Sequence, residues 1–391
     1  MDPVYIVGAT RTPIGRFGGT LAKFSAVELG VAAARAAIAR AGVDPRGIAE
    51  SVIGHARQAG CGPNPARQIA IRAGLPDTIP AATINQACAS GLRAIALAHD
   101  AIRLGRADMV LAGGTESMSN TPYLLTRARF GYRLGHGELL DGNYQDGFFC
   151  PLADQLMGRT AETLAERYAI SRDEQDEYAL RSQQRAAAAR AHWQTEIAPV
   201  MVADRKQGMI PFSTDEHVRG ETTRDDLRQL APVFKDHGSV TAGNSSAITD
   251  AAAAMLIVSG EAVQQHGLTP QARIVDYTVV GVDPKVMGLG PVPAIRQLLE
   301  RTRIPLAKID LIELNEAFAA QVIACDRELH LDMERTNVNG GAIALGHPIG
   351  CSGARIVVTL VHEMNRRQSR YGLAALCVSG GMGMAMLLEK P

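Results

Sequence analysis

The chain has 391 residues, 46% of them hydrophobic and only 4% aromatic, enough to bury a large aliphatic core in two or more domains. Forty basic residues balance forty acidic ones, which excludes a global field for nucleic acid or an anionic membrane, so any polyanionic ligand must be met locally. The longest apolar run, Ala251 to Val258, is too short to span a bilayer, and the N-terminus lacks the basic and apolar regions of a signal peptide. A cytoplasmic location is therefore expected. There the six cysteines stay reduced, and none is spaced as CxxC, which argues against a zinc or disulfide framework.

Val4 to Val7 reads as a strand, Ala26 to Ala41 as a helix, and Ser51–Gly54 and Ala81–Asn85 as further strands. Ser90 to Leu104 follows as a helix stopped by Gly105, and Met109 to Ala112 as a closing strand. From about Ser117 to Ala247 the composition changes: this stretch holds the sole tryptophan, Trp193, many charges, and the turn-rich segment Gly131 to Gly147. Ser171 and Glu174 form a capping box ahead of a helical run from Asp176 to His192, so the stretch reads as an inserted domain. Later strands are expected over Leu311–Leu314 and Gly372–Leu376, with a helical run from Ser352 between them.

The two ends echo each other in order. Ile6-Val7-Gly8 resembles Val279-Val280-Gly281, Ile48 to Gly54 resembles Ile309 to Asn315, and Ser90-Gly91-Leu92-Arg93 resembles Ser352-Gly353-Ala354-Arg355. Met109 to Gly114 likewise resembles Leu376 to Gly381. Four ordered similarities indicate duplication. Strands alternating with helices then predict an α/β protein of two halves with mainly parallel sheets. The expected division is 1–117 with 248–270, an inserted 118–247, and 271–391.

Cys88 follows a strand and precedes a helix, where unpaired N–H groups and the helix dipole are expected to favour thiolate; the position alone equally fits a packed thiol. His347 sits in a Gly/Pro loop that presents an imidazole. Cys377 ends a strand and runs into Ser379-Gly380-Gly381, where backbone N–H groups can approach an oxyanion. Asn315, at a strand end, suits either a helix cap or an amide that orients water, while Cys351 suits packing. Other chemistries lack their motifs. The sequence from His362 has Arg366 in place of the second histidine of HExxH, there is neither a phosphate loop nor a serine elbow, and Gly288-Leu289-Gly290 lacks the context of a dinucleotide fold. No metal is expected.

Taken together, VGATRTPIGRFGG (Val7 to Gly19), NQACASG around Cys88, GGTESMS (Gly113 to Ser119), VTAGNSS (Val240 to Ser246), NEAFAAQ (Asn315 to Gln321), the Asn339 to Arg355 segment and the terminal CVSGGMG resemble the thiolases. These are acyltransferases that make or cleave 3-ketoacyl-CoA. The resemblance spans essentially the whole chain and implies a five-layered α-β-α-β-α body with an inserted loop domain, assembled as a homodimer or homotetramer. It assigns Cys88 as the acyl-carrying nucleophile, Cys377 as acid/base, and His347 with an Asn315-held water as stabilisers of the enolate. The backbone N–H groups of Cys88 and Ser379 would form a second oxyanion hole, Ser379 standing where the family often has glycine. Ser246 would contact pantetheine and Arg219 the nucleotide end of coenzyme A, which is a substrate and not a resident cofactor. Leu156 stands before Met157-Gly158 where short-chain members often carry histidine, so the broader degradative type is expected, one that cleaves acetoacetyl-CoA and longer 3-ketoacyl-CoA. Two alternatives share the fold: a ketoacyl synthase, disfavoured by Cys377, and a non-catalytic lipid carrier, disfavoured by the intact Cys88, His347 and Cys377.

Overall fold

The computed structural model describes residues 2–391. Its main strands are β1 (Val4–Arg11), β2 (Glu50–Gly54), β3 (Ala81–Ile84), β4 (Met109–Ser117), β5 (Thr249–Ser259), β6 (Ala272–Gly281), β7 (Leu311–Leu314), β8 (Tyr371–Val378) and β9 (Met382–Glu389). Strands of the first half run in the order β3-β2-β4-β5-β1, and those of the second in the corresponding order β7-β8-β9-β6. The two sets join where β1 and β6 pair antiparallel, Val4 opposite Ile274 and Ile6 opposite Ala272.

Helices cover these sheets on both sides and also separate them. α1 (Ala26–Ala41) and α2 (Pro65–Ala73) pack outside the first set, and α3 (Ser90–Arg103) packs on its inner side. In the second half, α6 (Pro291–Thr302) packs on β6 and β9, and α8 (Ile349–Arg367) touches α3 and strands of both halves. α8 is buried without a break from Ile349 to Val361, as a central layer between two sheets must be. Small residues permit that closeness. A Cβ on Gly91 would lie 2.7 Å from the Ala354 nitrogen, and one on Gly353 would lie 2.4 Å from the Leu92 nitrogen. These are equivalent positions of the sequence echo, so each helix supplies the glycine that its counterpart needs.

The sheets are mixed and not mainly parallel as expected. β2 runs parallel to β3 and β4, and β7 to β8, but β5, β1, β6 and β9 pair antiparallel. For β8 and β9 the reason is the three-residue connection Ser379–Gly381, which only an antiparallel pair can use. β4 also runs beyond the expected end at Ala112, because Gly113 and Gly114 are strand residues: a Cβ there would strike the Ala253 and Gly350 carbonyls at 2.2 and 2.3 Å.

The segment between β4 and β5 contains α4 (Met157–Arg167) and α5 (Arg172–Ala189). α5 starts at Arg172, directly after its N-cap Ser171 and with Glu174 of the capping box in its first turn, one turn ahead of the expected Asp176, because the capping geometry rather than the hydrophobic pattern sets the first turn. Buried polar groups bind this segment to the halves. Arg11 on β1 pairs bidentately with Asp215 at 2.8 and 2.9 Å and with Glu196 at 2.6 Å, all three side chains being buried. Glu316, after β7, accepts from Tyr178 and Ser182 of α5 and from the Ile343 N–H.

Two substitutions test these constraints. Gly353→Ala is expected to destabilise the fold by about 1–3 kcal/mol or more through overpacking at the helix crossing; an unchanged denaturant midpoint would contradict the close approach. Arg11→Met leaves two buried carboxylates uncompensated, and a loss of about 3–5 kcal/mol is expected from the same measurement.

Candidate active site

Cys88 lies in a single 3-10 turn, Ala87–Ala89, that leads into α3. Ala87 takes a left-handed φ of 46°, and its N–H is held by the Asn85 side chain at 3.0 Å. Strain of this kind persists only where the surroundings over-determine it. The Ser90 hydroxyl pins the turn from the helix side, accepting from the Gln86 N–H at 2.9 Å and donating to the Ala87 carbonyl at 2.7 Å.

His347 precedes α8 as Cys88 precedes α3, so the crossing that joins the helices also brings these residues to one cavity of about 770 Å³. Cys377, Ser379, Ser246 and the exposed Arg219 line the same cavity. Asn315 is not among its lining residues, yet its side chain is buried and both amide atoms lack a protein partner. Its N–H bonds the Ala375 carbonyl at 2.9 Å, so the residue extends β7 and does not cap the following helix.

The geometry at sulfur is specific. The backbone N–H groups of Ser379 and Cys88 both act on the Cys88 sulfur in the direction that favours thiolate. Gly380 and Gly381, at φ of 84° and 86°, form the turn that delivers Ser379 there. His347 Nδ1 meets the Ser352 Oγ at 2.5 Å, and that hydroxyl donates onward to the Pro348 carbonyl at 3.0 Å. With the hydroxyl proton so engaged, Nδ1 is assigned as the donor, and Nε2, which has no protein partner, presents its lone pair.

Burial dominates the electrostatics. It lowers His347 to about 3, with the Arg355 and Arg57 charges adding to the effect, so the imidazole is neutral at rest. Burial also pushes Cys377 well above the usual thiol range. Cys88 is raised too, against the expectation of a depressed thiol: desolvation outweighs the Ser379 N–H and the Arg57 charge. The 3-10 turn explains why the helix helps so little. The N–H groups of Ala89 and Ser90 bond to Gln86 and Ala87 and do not face the sulfur.

Beneath the site lies a group that the sequence reading did not single out. Glu116 of β4 accepts from the N–H of Gly350 at 2.8 Å and of Arg57 at 3.1 Å, and contacts His55 Nε2 at 3.1 Å. Burial opposes the charge on His55, but the neighbouring Cys61 and Glu116 prevail and raise it to about 9. The available signal was an acid inside the apolar GGTESMS strand. Arg57 was also missed, because an arginine in a Gly-rich loop reads as surface although this one is buried in the cavity wall. No group of three or more histidines, cysteines or acids among the described residues is arranged to hold a metal, and no helix among them is long and apolar enough to cross a membrane.

Residues 4–261 match the thiolase N-terminal domain and residues 268–390 the thiolase C-terminal domain. The chain belongs to the thiolase family. It is 48% identical over 392 residues to an acetyl-CoA acetyltransferase of Cupriavidus necator and 50% identical over 393 residues to one of Escherichia coli, covering all of both chains in each case. Among solved structures it is similar to the Bacillus anthracis acetyl-CoA acetyltransferase, with a TM-score of 0.97, 46% identity, and coverage of 100% of this chain and 99% of that one. It is likewise similar to human mitochondrial 3-ketoacyl-CoA thiolase in complex with CoA, with a TM-score of 0.95, 43% identity, and coverage of 100% and 98%.

The raised Cys88 thiol has a measurable consequence. Thiolate increases with pH up to the thiol pKa, so alkylation of the Cys88 peptide by iodoacetamide is expected to be still accelerating at about pH 9. A rate already level by about pH 7 would mean that the sulfur is ion-paired and the burial argument wrong.

Proposed function

We propose that the protein is an acyl-CoA acyltransferase that cleaves 3-ketoacyl-CoA with coenzyme A, or condenses two acyl-CoA molecules in reverse, through an acyl-Cys88 intermediate. The observation that carries this reading is that Cys88, His347, Cys377 and Ser379 line one cavity.

In the cleavage direction, His347 Nε2 accepts the Cys88 proton as sulfur attacks the C3 carbonyl. An imidazolium is disfavoured in this buried position, so the proton moves with carbon–sulfur bond formation. The N–H groups of Cys88 and Ser379 hold the oxyanion formed at C3. When C2–C3 breaks, His347 and a water held by Asn315 stabilise the departing enolate, and Cys377 gives its proton to C2, releasing acetyl-CoA. The Cys377 thiolate then takes the proton of an incoming CoA thiol, whose sulfur removes the acyl group from Cys88, and the Cys88 thiolate so released recovers its proton from His347. High thiol pKa suits Cys377 for this, since it returns the proton rather than remaining ionised.

Ser246 and Arg219, on the same cavity, are assigned to the pantetheine and nucleotide parts of CoA, with 118–247 as the inserted domain that builds much of the acyl and CoA pocket. Phe148, Leu156, Met157, Met287 and Phe318 give that cavity apolar walls, which favours 3-ketoacyl chains longer than acetoacetyl. The same reading places the enzyme in the cytoplasm as a homodimer or homotetramer with no permanently bound cofactor.

Thiolysis rates across chain lengths, with acyl-enzyme followed by mass spectrometry, test the assignment. Cys88→Ser is expected to lose at least about 1000-fold in kcat and to form no acyl adduct. Cys377→Ser should still acquire an acetyl group from acetyl-CoA while thiolysis of 3-ketoacyl-CoA falls by about 100-fold or more. Unchanged turnover in Cys88→Ser would remove the mechanism.

A further inference from the structure

One charged group at the reacting end of the cavity has no part in the reaction just described. Arg57 is 6% exposed, its Nε has no partner, and its guanidinium forms no ion pair among the described residues. It lines the cavity together with Cys88 and Phe148, and its charge is felt at both Cys88 and His347. The guanidinium lies against Gly147, where a Cβ would fall only 1.7 Å from Nη2, so the glycine leaves the space that this side chain occupies.

A buried cation without a partner is unfavourable unless something else supplies the anion. Glu116 feels the Arg57 charge but forms neither a hydrogen bond nor an ion pair with the guanidinium. Glu116 is engaged by His55 and by the N–H groups of Ala56, Arg57 and Gly350, so its carboxylate serves the backbone beneath the site. The other charged residues lining the cavity, Arg219, Glu221 and Asp226, are exposed, and His347 is neutral. Elsewhere the cavity that Arg57 lines has apolar walls, Phe148, Leu156, Met157 and Ile349 among them. An apolar pocket with one buried, unpaired guanidinium is built for an acyl chain that carries its own negative charge, and a planar fork matches a carboxylate bidentately.

We propose that Arg57 is a carboxylate-binding residue of the acyl subsite, and that the preferred substrates are CoA thioesters of 3-oxo-dicarboxylic acids whose free carboxylate pairs with it. The proposal rests on the thiolytic reading above and adds the substrate class. Bond changes are those already given; the distal carboxylate is bound and released unchanged.

The test is thiolysis by the intact enzyme of a short- and medium-chain series of 3-oxo-dicarboxylyl-CoA thioesters, each against the unsubstituted 3-oxoacyl-CoA of the same carbon count. At the best-fitting length the wild type is expected to favour the acid by about 100-fold in kcat/KM. Arg57→Met should bring that ratio to one or below, and Arg57→Lys should leave it between the two, since it keeps the charge and loses the fork. The ratio is read on one preparation, so partial misfolding lowers both rates together, and the wild-type preference stands as a test even if a variant does not fold. A wild-type ratio of one or less at every length overturns the proposal. So does an Arg57→Met ratio equal to that of the wild type, which would assign the arginine to the reacting atoms common to both substrates. Failure of the wild type to cleave either class would overturn the thiolytic reading as well.

Discussion

The close crossing of α3 and α8 is the constraint from which the site follows. Gly91 and Gly353 let the two backbones meet where any side chain would intrude, and both helices begin beside that contact. Cys88 and His347 each stand just before one of those helix starts, so the approach that packs the central layer also brings the proposed nucleophile and base to one cavity. Packing and chemistry therefore depend on the same two glycines, and a change to either glycine alters both.

Around the crossing, buried carboxylates act as fasteners for backbone. Glu116 grips the start of α8 through the Gly350 N–H and the loop after β2 through the N–H groups of Ala56 and Arg57. Glu316 holds α5 of the inserted segment to the approach of the His347 loop, and Arg11 ties the same segment to β1 through Asp215 and Glu196. Each of these charges is compensated by several hydrogen bonds, which is the condition under which a buried ion is tolerated. Arg57 departs from this pattern, and it does so in the cavity wall.

At rest the reacting groups are held neutral. Burial lowers the imidazole and raises both thiols, so in the proposed reaction charge would develop only as bonds change and be met by the backbone N–H groups. The expectation of a dipole-activated thiolate failed for a local reason: the 3-10 turn ahead of α3 uses the amides that a helix start would otherwise have aimed at the sulfur. A sequence that places cysteine before a helix does not reveal whether a tighter turn intervenes.

From the sequence alone, the ordered echoes, the capping box at Ser171 and the motif residues Cys88, His347, Cys377 and Ser379 were legible, because each is carried by local patterns in the chain. The direction of β9 was not anticipated, nor was the extension of β4 through Gly113 and Gly114, since glycines that permit close approach look like glycines that end a strand. Protonation states and the burial of Arg57 and Glu116 were likewise beyond reach. Both depend on which distant segments exclude water and which amides they present. The order of chemical groups along the chain thus set what the site is made of; only tertiary packing decided their separation, their charge, and which of them was left without a partner.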